Sequence, residues 1–271
     1  MTDHLERVRK AARKMTEDQR ERDDAIIAAV KSGESQADVA RAADITRQRV
    51  GQIAAGVAAG PERALLAPEA GGTFTIAVVQ KQDQDSKQPV IGSTTRRALD
   101  SLKDTAQSLG ISTEEEEIGP PGVINLNRSN LAVMMGPRTS ALIAMALSAD
   151  PAIRWREDER GKWYITDTRT GTDYHSDYDD GWHSGPGGER ACFAHIGRVR
   201  RPDGRGTFLY LGGAHSPGTA GAVSYFTREM PALWEQARKS AWSAVVRAVT
   251  DSAGALISAE LATPVYVHGK V

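Results

Sequence analysis

Residues 131–147 read LAVMMGPRTSALIAMAL. LAVMM is an apolar run of strand length, and Gly136 permits a tight turn after it. Arg138–Leu147 then carries apolar residues at helical spacing, with Ala141, Leu142, Met145 and Ala146 expected inside. A strand that is apolar along its whole length must be covered on both faces, and a helix directly after it supplies one cover. The pattern recurs on either side. FTIAVVQ (74–80) reads as a strand, followed by an amphipathic helix over Thr94–Leu109 with Leu99, Leu102, Ala106 and Leu109 on one side. TFLYLGG (207–213) reads as a second buried strand, followed by a long helix from Ala220 to Lys239 despite Pro231 within it. IRWRE and KWYITD read as a hairpin around Asp158–Gly161, and WSAVVRAVT and ALISAELATPVYVH as two closing strands. The expected fold over residues 73–271 is therefore a Rossmann-like α/β layer domain with an antiparallel flank. No internal repeat is found.

The N-terminal part has a different character. Leu5, Val8, Ala12 and Met15 fall on one helical face, and Ala25, Ile26, Ala29 and Val30 on another, with Gly33 as a stop. SQADVARAADITRQRVGQIA (35–54) then reads as a short helix, a turn and a second helix with two arginines and no acid. Ser35 and Thr46 are placed to cap the two helices. Val39, Ala40 and Ala43 form the inner face of the first, Ile45 plugs the turn, and Val50 and Ile53 form the inner face of the second. Thr46, Arg47, Gln48, Arg49, Gly51 and Gln52 are left outward. Arg and Gln are side chains that pair bidentately with guanine and adenine edges.

This spacing resembles the helix-turn-helix of bacterial repressors and of sigma-type factors, over about residues 20–56. The resemblance implies base contacts from Gln48, Arg49 and Gln52 and phosphate contacts from Thr46 and Arg47. One departure is Asp44, where the family usually has a glycine in the turn; Asp tolerates the left-handed conformation better than most residues. The expected organisation is a helical DNA-binding domain over 1–60, a Gly/Ala/Pro-rich linker over 61–72 in which Glu62–Leu66 could form a helical turn, and the α/β domain over 73–271.

Bulk properties bound this reading. The chain has 271 residues and a net charge of −1, so any attraction to nucleic acid must come from a local patch. Its one cysteine, Cys192, excludes an internal disulfide and fits a reducing compartment. No apolar run approaches the roughly 18 residues of a membrane span, and MTDHLERVRKAARKM lacks the apolar centre of a signal peptide. A cytoplasmic protein with no membrane partner is expected.

In open α/β sheets, ligands sit outside the C-terminal ends of strands, where helix N-termini point. Two loops stand at such places. After LAVMM come Gly136, Arg138, Thr139 and Ser140; after TFLYL come Gly213, His215, Ser216, Gly218 and Thr219, opening a helix. Both offer hydroxyls and amides to an anion, and Arg138 adds a charge. Gly92–Arg97 is a third, weaker candidate. The spacing from Gly213 to Gly218 is that of a phosphate loop, but Thr219 stands where its lysine belongs, which argues against ATP hydrolysis. Glycines that merely turn the chain are the alternative. The domain also looks similar to the Rossmann-like sensor domains that follow DNA-binding heads in bacterial regulators, which implies a nucleotide-like effector and no cofactor.

Other features carry less. Asp177, Asp179 and Asp180 before Gly181 resemble half a calcium loop, and His175 and His183 could join them on a transition metal; a solvated loop is the competing reading, and no metal is expected. Glu114–Glu117 reads as a solvated edge and Arg198–Arg205 as a basic turn. The resulting expectation is a sequence-specific DNA-binding transcriptional regulator, a homodimer on double-stranded DNA, whose α/β domain binds an anionic small-molecule effector or a protein partner. The alternative is a nucleotide-processing enzyme whose helical head tethers it to DNA or a partner. No catalytic residue is assigned.

Overall fold

Strands β1 (Phe74–Val79), β5 (Leu131–Met134) and β10 (Thr207–Gly213) lie side by side and parallel, with β4 (Thr113–Ile118) parallel to β1 on its other side. The computed structural model describes residues 21–23, 25–30, 32–58, 60–67, 73–82, 88–120, 122–179 and 188–270. The chain divides into two units, Met1–Gly60 and Pro61–Val271.

In the larger unit, β10 is extended antiparallel by β9 (Arg190–Arg200) and β11 (Ser240–Thr250), and β11 pairs with β12 (Leu256–Leu261) and β13 (Tyr266–Lys270). The result is a mixed eight-stranded sheet in a mixed α/β unit. Its strands show why whole-length apolarity is needed. Phe74, Ile76, Val78, Ala132, Met134, Leu209 and Leu211 enter one core, beneath α4 (Ser93–Ser108), α6 (Ser216–Arg228) and α7 (Met230–Ala237). Their alternates Ala77, Leu131, Val133, Phe208 and Tyr210 enter a second core with α5 (Ala141–Leu147). Side chains alternate across a strand, so both sets must be apolar. A small antiparallel sheet of β6 (Ile153–Glu157), β7 (Trp163–Asp167) and β8 (Thr172–Tyr174) forms the expected hairpin plus one strand, with Ala152, Ile153 and Ile165 packed on Val245. Two short strands, β2 (Lys81–Gln82) and β3 (Pro89–Val90), pair with each other.

Several elements differ from expectation. The sequence reading has no strand at β9, yet β9 joins the parallel half to the antiparallel half. Its Arg198, read as part of a basic turn, is buried and donates to the carbonyls of Leu65 and Leu66. Those residues end α3 (Pro61–Leu66), so the first part of the expected linker is a helix docked in the large core; residues 68–72 lie outside the described residues. Glu114–Glu117 form most of β4, an edge strand. The expected long helix is two helices, because Pro231 has no N–H to continue α6 and fits only in the first turn of a new one. The closing segment is three strands rather than two, broken before Tyr266 at Thr263-Pro264. In α5, Leu142 and Met145 are 39% and 58% exposed, while Ile143, Ala146 and Leu147 are buried. A 3-10 turn at Pro137–Thr139 delays the helix start to Ala141 and so changes its phase.

In the smaller unit, α1 (Gln36–Ala42) and α2 (Arg47–Ala58) pack around Ile26, Val39, Ala40, Val50 and Ile53. Ala43 and Ile45 flank this cluster. Residues 21–23 and 25–30 are helical; the expected helical face of Leu5, Val8, Ala12 and Met15 lies outside the described residues. Among the described residues, no helix is long and apolar enough to cross a membrane.

Candidate anion-binding cleft and exposed basic helix

The parallel strands set the geometry of the cleft. From β1 the chain crosses through α4 to β4 on one side, then returns to β5 on the other side of β1. The ends of β1 and β5 thus open a crevice at the point where strand order reverses, the usual ligand position in such sheets. Gly136, Arg138 and Thr139 reach this crevice from β5, and Gly213, His215, Ser216 and Thr219 from β10. Lys81 reaches it from just beyond β1. The two glycine loops meet there: a β-carbon on Gly136 would lie 2.9 Å from the carbonyl oxygen of Gly213.

Two cations face the crevice. Lys81 donates from Nζ to Ser216 Oγ over 3.2 Å. Loss of solvent around its ammonium, and then the charge of Arg138, lower the Lys81 pKa below the usual lysine value. Arg138 is exposed and has no ion-pair or hydrogen-bond partner among the described residues. Two like charges held close enough to perturb each other, with no carboxylate between them among the described residues, form a local excess that an anion would neutralise. Helix α6 starts in the same place. His215 is its N-cap residue and supplies no side-chain cap; Pro217 has no N–H and the Gly218 amide faces the Cys192 sulfur, so the Ser216 amide is the first-turn donor left for a ligand. The space is about 40 Å³, and one water needs about 10–15 Å³. It therefore suits one small anionic group.

His215 is fixed from behind. Its Nε2 lies 2.8 Å from Asp179 Oδ1, and its ring lies 5.8 Å from that of Tyr178. Tyr178 in turn bonds through its hydroxyl to Thr250 Oγ1 and carries the Arg190 guanidinium over its ring. Cys192 is fully buried, and burial pushes its thiol pKa up, so it is not poised as a nucleophile.

Two residues expected to bind ligand do not line the crevice. Ser140 is buried; its hydroxyl donates to the Gly122 carbonyl and accepts from the Ile143 amide, capping α5. Gly218 is buried against Phe193 and Cys192, where only a glycine fits. Thr219 lines the cleft, but its hydroxyl already accepts from the Gly213 amide. Thr139 likewise donates to the Gly136 carbonyl. Sequence reasoning missed Lys81 altogether, and read Asp179 as part of a half calcium loop rather than as the partner of His215. A lysine two positions beyond a largely apolar strand was a usable signal for the first. Nothing local points Asp179 at His215, since it arrives from a loop 36 residues away.

The loop of Asp177, Asp179, His175 and His183, weighed as a metal site in the sequence, is only partly described, since Asp180, Gly181 and His183 lie outside the described residues. Among the described residues, no group of three or more His, Cys, Asp or Glu side chains is arranged to hold a metal ion.

In the smaller unit, Thr46, Arg47, Gln48 and Arg49 are all exposed at the start of α2; the side chain of Gln52 lies outside the described residues. Thr46 Oγ1 accepts from the Arg49 amide over 3.1 Å, as a helix cap does. Ser35 accepts from the Asp38 amide in the same way. The turn between the helices is closed by Asp44 at φ +50°. No family model, no curated protein and no solved structure matches this chain.

Proposed function

We propose that this chain is a sequence-specific DNA-binding transcriptional regulator whose α/β unit binds an anionic small-molecule effector. The observation that carries the reading is the exposed, acid-free start of α2, with Arg47, Gln48 and Arg49 facing solvent beyond a left-handed Asp44 turn. In this reading α1 and α2 are a Rossmann-type regulator's helix-turn-helix head, and α2 enters the major groove. Thr46 and Arg47 set register on phosphates, and Gln48, Arg49 and Gln52 read base edges. A single such helix buries little surface, so a homodimer on a two-fold operator in the cytoplasm completes the proposal. The anion cleft supplies the signal: an effector acts by binding the DNA-competent and incompetent states with different affinity.

The test is selection of bound sequences from a random duplex pool by the full chain, followed by anisotropy titration. A single enriched motif is expected. Arg49→Ala should weaken binding to that motif by about 1–3 kcal/mol and relax one base position, whereas Arg47→Ala should weaken all sequences alike. Failure to enrich any motif at low salt overturns the regulator reading.

The Asp179–His215 contact favours a second reading, a nucleotide-processing enzyme with a tethering head. His215 would be the acid–base group and Asp179 its orienting partner. Turnover of a bound phosphate ester that His215→Ala abolishes without loss of binding would select this reading over the first.

A further inference from the structure

We infer that the cleft is one end of a two-part site whose ligand is a sugar-phosphate monoester no larger than a mononucleotide. The inference rests on the anion reading of the cleft given above. A separate groove of about 320 Å³ runs between α4 and α6. That is the lower end of the roughly 300–1,000 Å³ range of small-molecule sites. The groove and the cleft flank the same two helix starts. Thr95 lines the cleft and Thr94 the groove; Ser216 lines the cleft and Pro217 the groove; Thr219 lines the cleft and Ala220 the groove. The two spaces share no lining residue, but their linings are consecutive at both helix starts, so a molecule anchored in the cleft lies beside the groove.

The chemistry of the two parts differs. The cleft has two cations and the hydroxyl and amide of Ser216 in a space for one small group, which suits a phosphate. The groove has a floor of small apolar groups at Ala98 and Val223, rimmed by Arg97, Ser101 and Ser224. These three rim side chains have no hydrogen-bond or ion-pair partner among the described residues. An apolar tail would cover such donors without pairing them, at a cost in free energy, whereas a sugar ring offers hydroxyls to each. The combined space is too small for a dinucleotide cofactor and sets a mononucleotide as the upper bound.

Calorimetric titration of the full chain with inorganic phosphate, ribose 5-phosphate and the four ribonucleoside 5′-monophosphates tests this. At least one ester should bind about tenfold or more tighter than phosphate. Ser101→Trp, made on an exposed position of α4, should close the groove and remove that gain while leaving phosphate affinity unchanged. Arg97→Ala, also at an exposed position, should reduce the same gain by a smaller factor and serves if the tryptophan variant does not fold. Lys81→Ala should weaken phosphate and esters together. If phosphate binds but every ester gains less than about tenfold, the two-part site is wrong and the anion cleft stands. If Ser101→Trp weakens phosphate as much as the ester, the groove is not a separate part and the inference again fails. If neither phosphate nor any ester binds, the anion reading falls and takes this inference with it.

Discussion

His215 Nε2 lies 2.8 Å from Asp179 Oδ1, joining the first turn of α6 to the loop that precedes β9. The Asp179 side chain is only 7% exposed, so this contact is shielded from water. The same loop is held at its base by Asp177, whose carboxylate accepts from the Ala191 amide.

Removing the tie should therefore loosen the loop. In Asp179→Ala, amide hydrogen exchange over residues 174–179 should speed up by about five- to tenfold, as expected for loss of one hydrogen bond worth about 1 kcal/mol. Asp179→Asn retains an acceptor and should recover most of the protection. Unchanged exchange in the alanine variant would show that the loop is held elsewhere.

Gly218 illustrates a constraint on the start of α6. A β-carbon there would lie 2.8 Å from the Phe193 carbonyl oxygen and 2.9 Å from Cys192 Sγ. Gly218→Ala should destabilise the fold by roughly 1–3 kcal/mol through overpacking. Chemical denaturation followed by tryptophan fluorescence measures this, and a change within about 0.5 kcal/mol would contradict the tight packing.

Asp44 occupies the left-handed region at φ +50°. Asp44→Gly should be neutral or slightly stabilising for α1 and α2, because glycine adopts this conformation without strain. Asp44→Val should cost about 1–3 kcal/mol locally, since a β-branched side chain resists it. Hydrogen exchange of the α2 amides in both full-length variants provides the readout; equal effects from Gly and Val would remove the turn from the argument.

Asp150 links stability to pH. Burial alone pushes its carboxyl pKa up, but His195 and His268, approaching at 3.4 and 3.5 Å, together with the Ile153 amide, outweigh burial and hold it well below the carboxylate range. The folded value is depressed, so this contribution is complete above the ordinary carboxylate pKa and is lost as pH falls through and below it. Urea unfolding should show stability falling between about pH 5 and pH 3. Asp150→Asn should lower stability at pH 7 by about 2 kcal/mol and flatten the acid slope. An unaltered slope would assign acid sensitivity to other carboxylates.

The three strands that open the cleft are legible in the sequence because FTIAVV, LAVM and TFLYLGG are apolar on both faces, a pattern that only a covered sheet accommodates. Their following loops are legible for the same reason. β9 was not, because His195, Gly197 and Arg198 interrupt its apolar character, and only tertiary partners make those residues buriable. Ser140 and Thr139 show the limit at the site: a hydroxyl that caps or closes a turn and one that faces a ligand have the same one-letter code. The acidic run of β4 hid a strand for a related reason, since its pairing to Arg96, Lys103 and Arg128 comes from distant positions.

That acidic run also bears on how the molecule avoids polymerising. Glu115 and Glu117 meet Arg96 on one face of β4, and Glu114 and Glu116 meet Arg128 on the other. A second chain adding itself along this border would stack its own carboxylates beside these, so fibril-like growth is electrostatically blocked from that direction. The opposite border, β12, carries exposed Leu256 and Ile257 and a single acid, Glu260. Any runaway stacking of partly unfolded chains is thus directed to one end of the sheet.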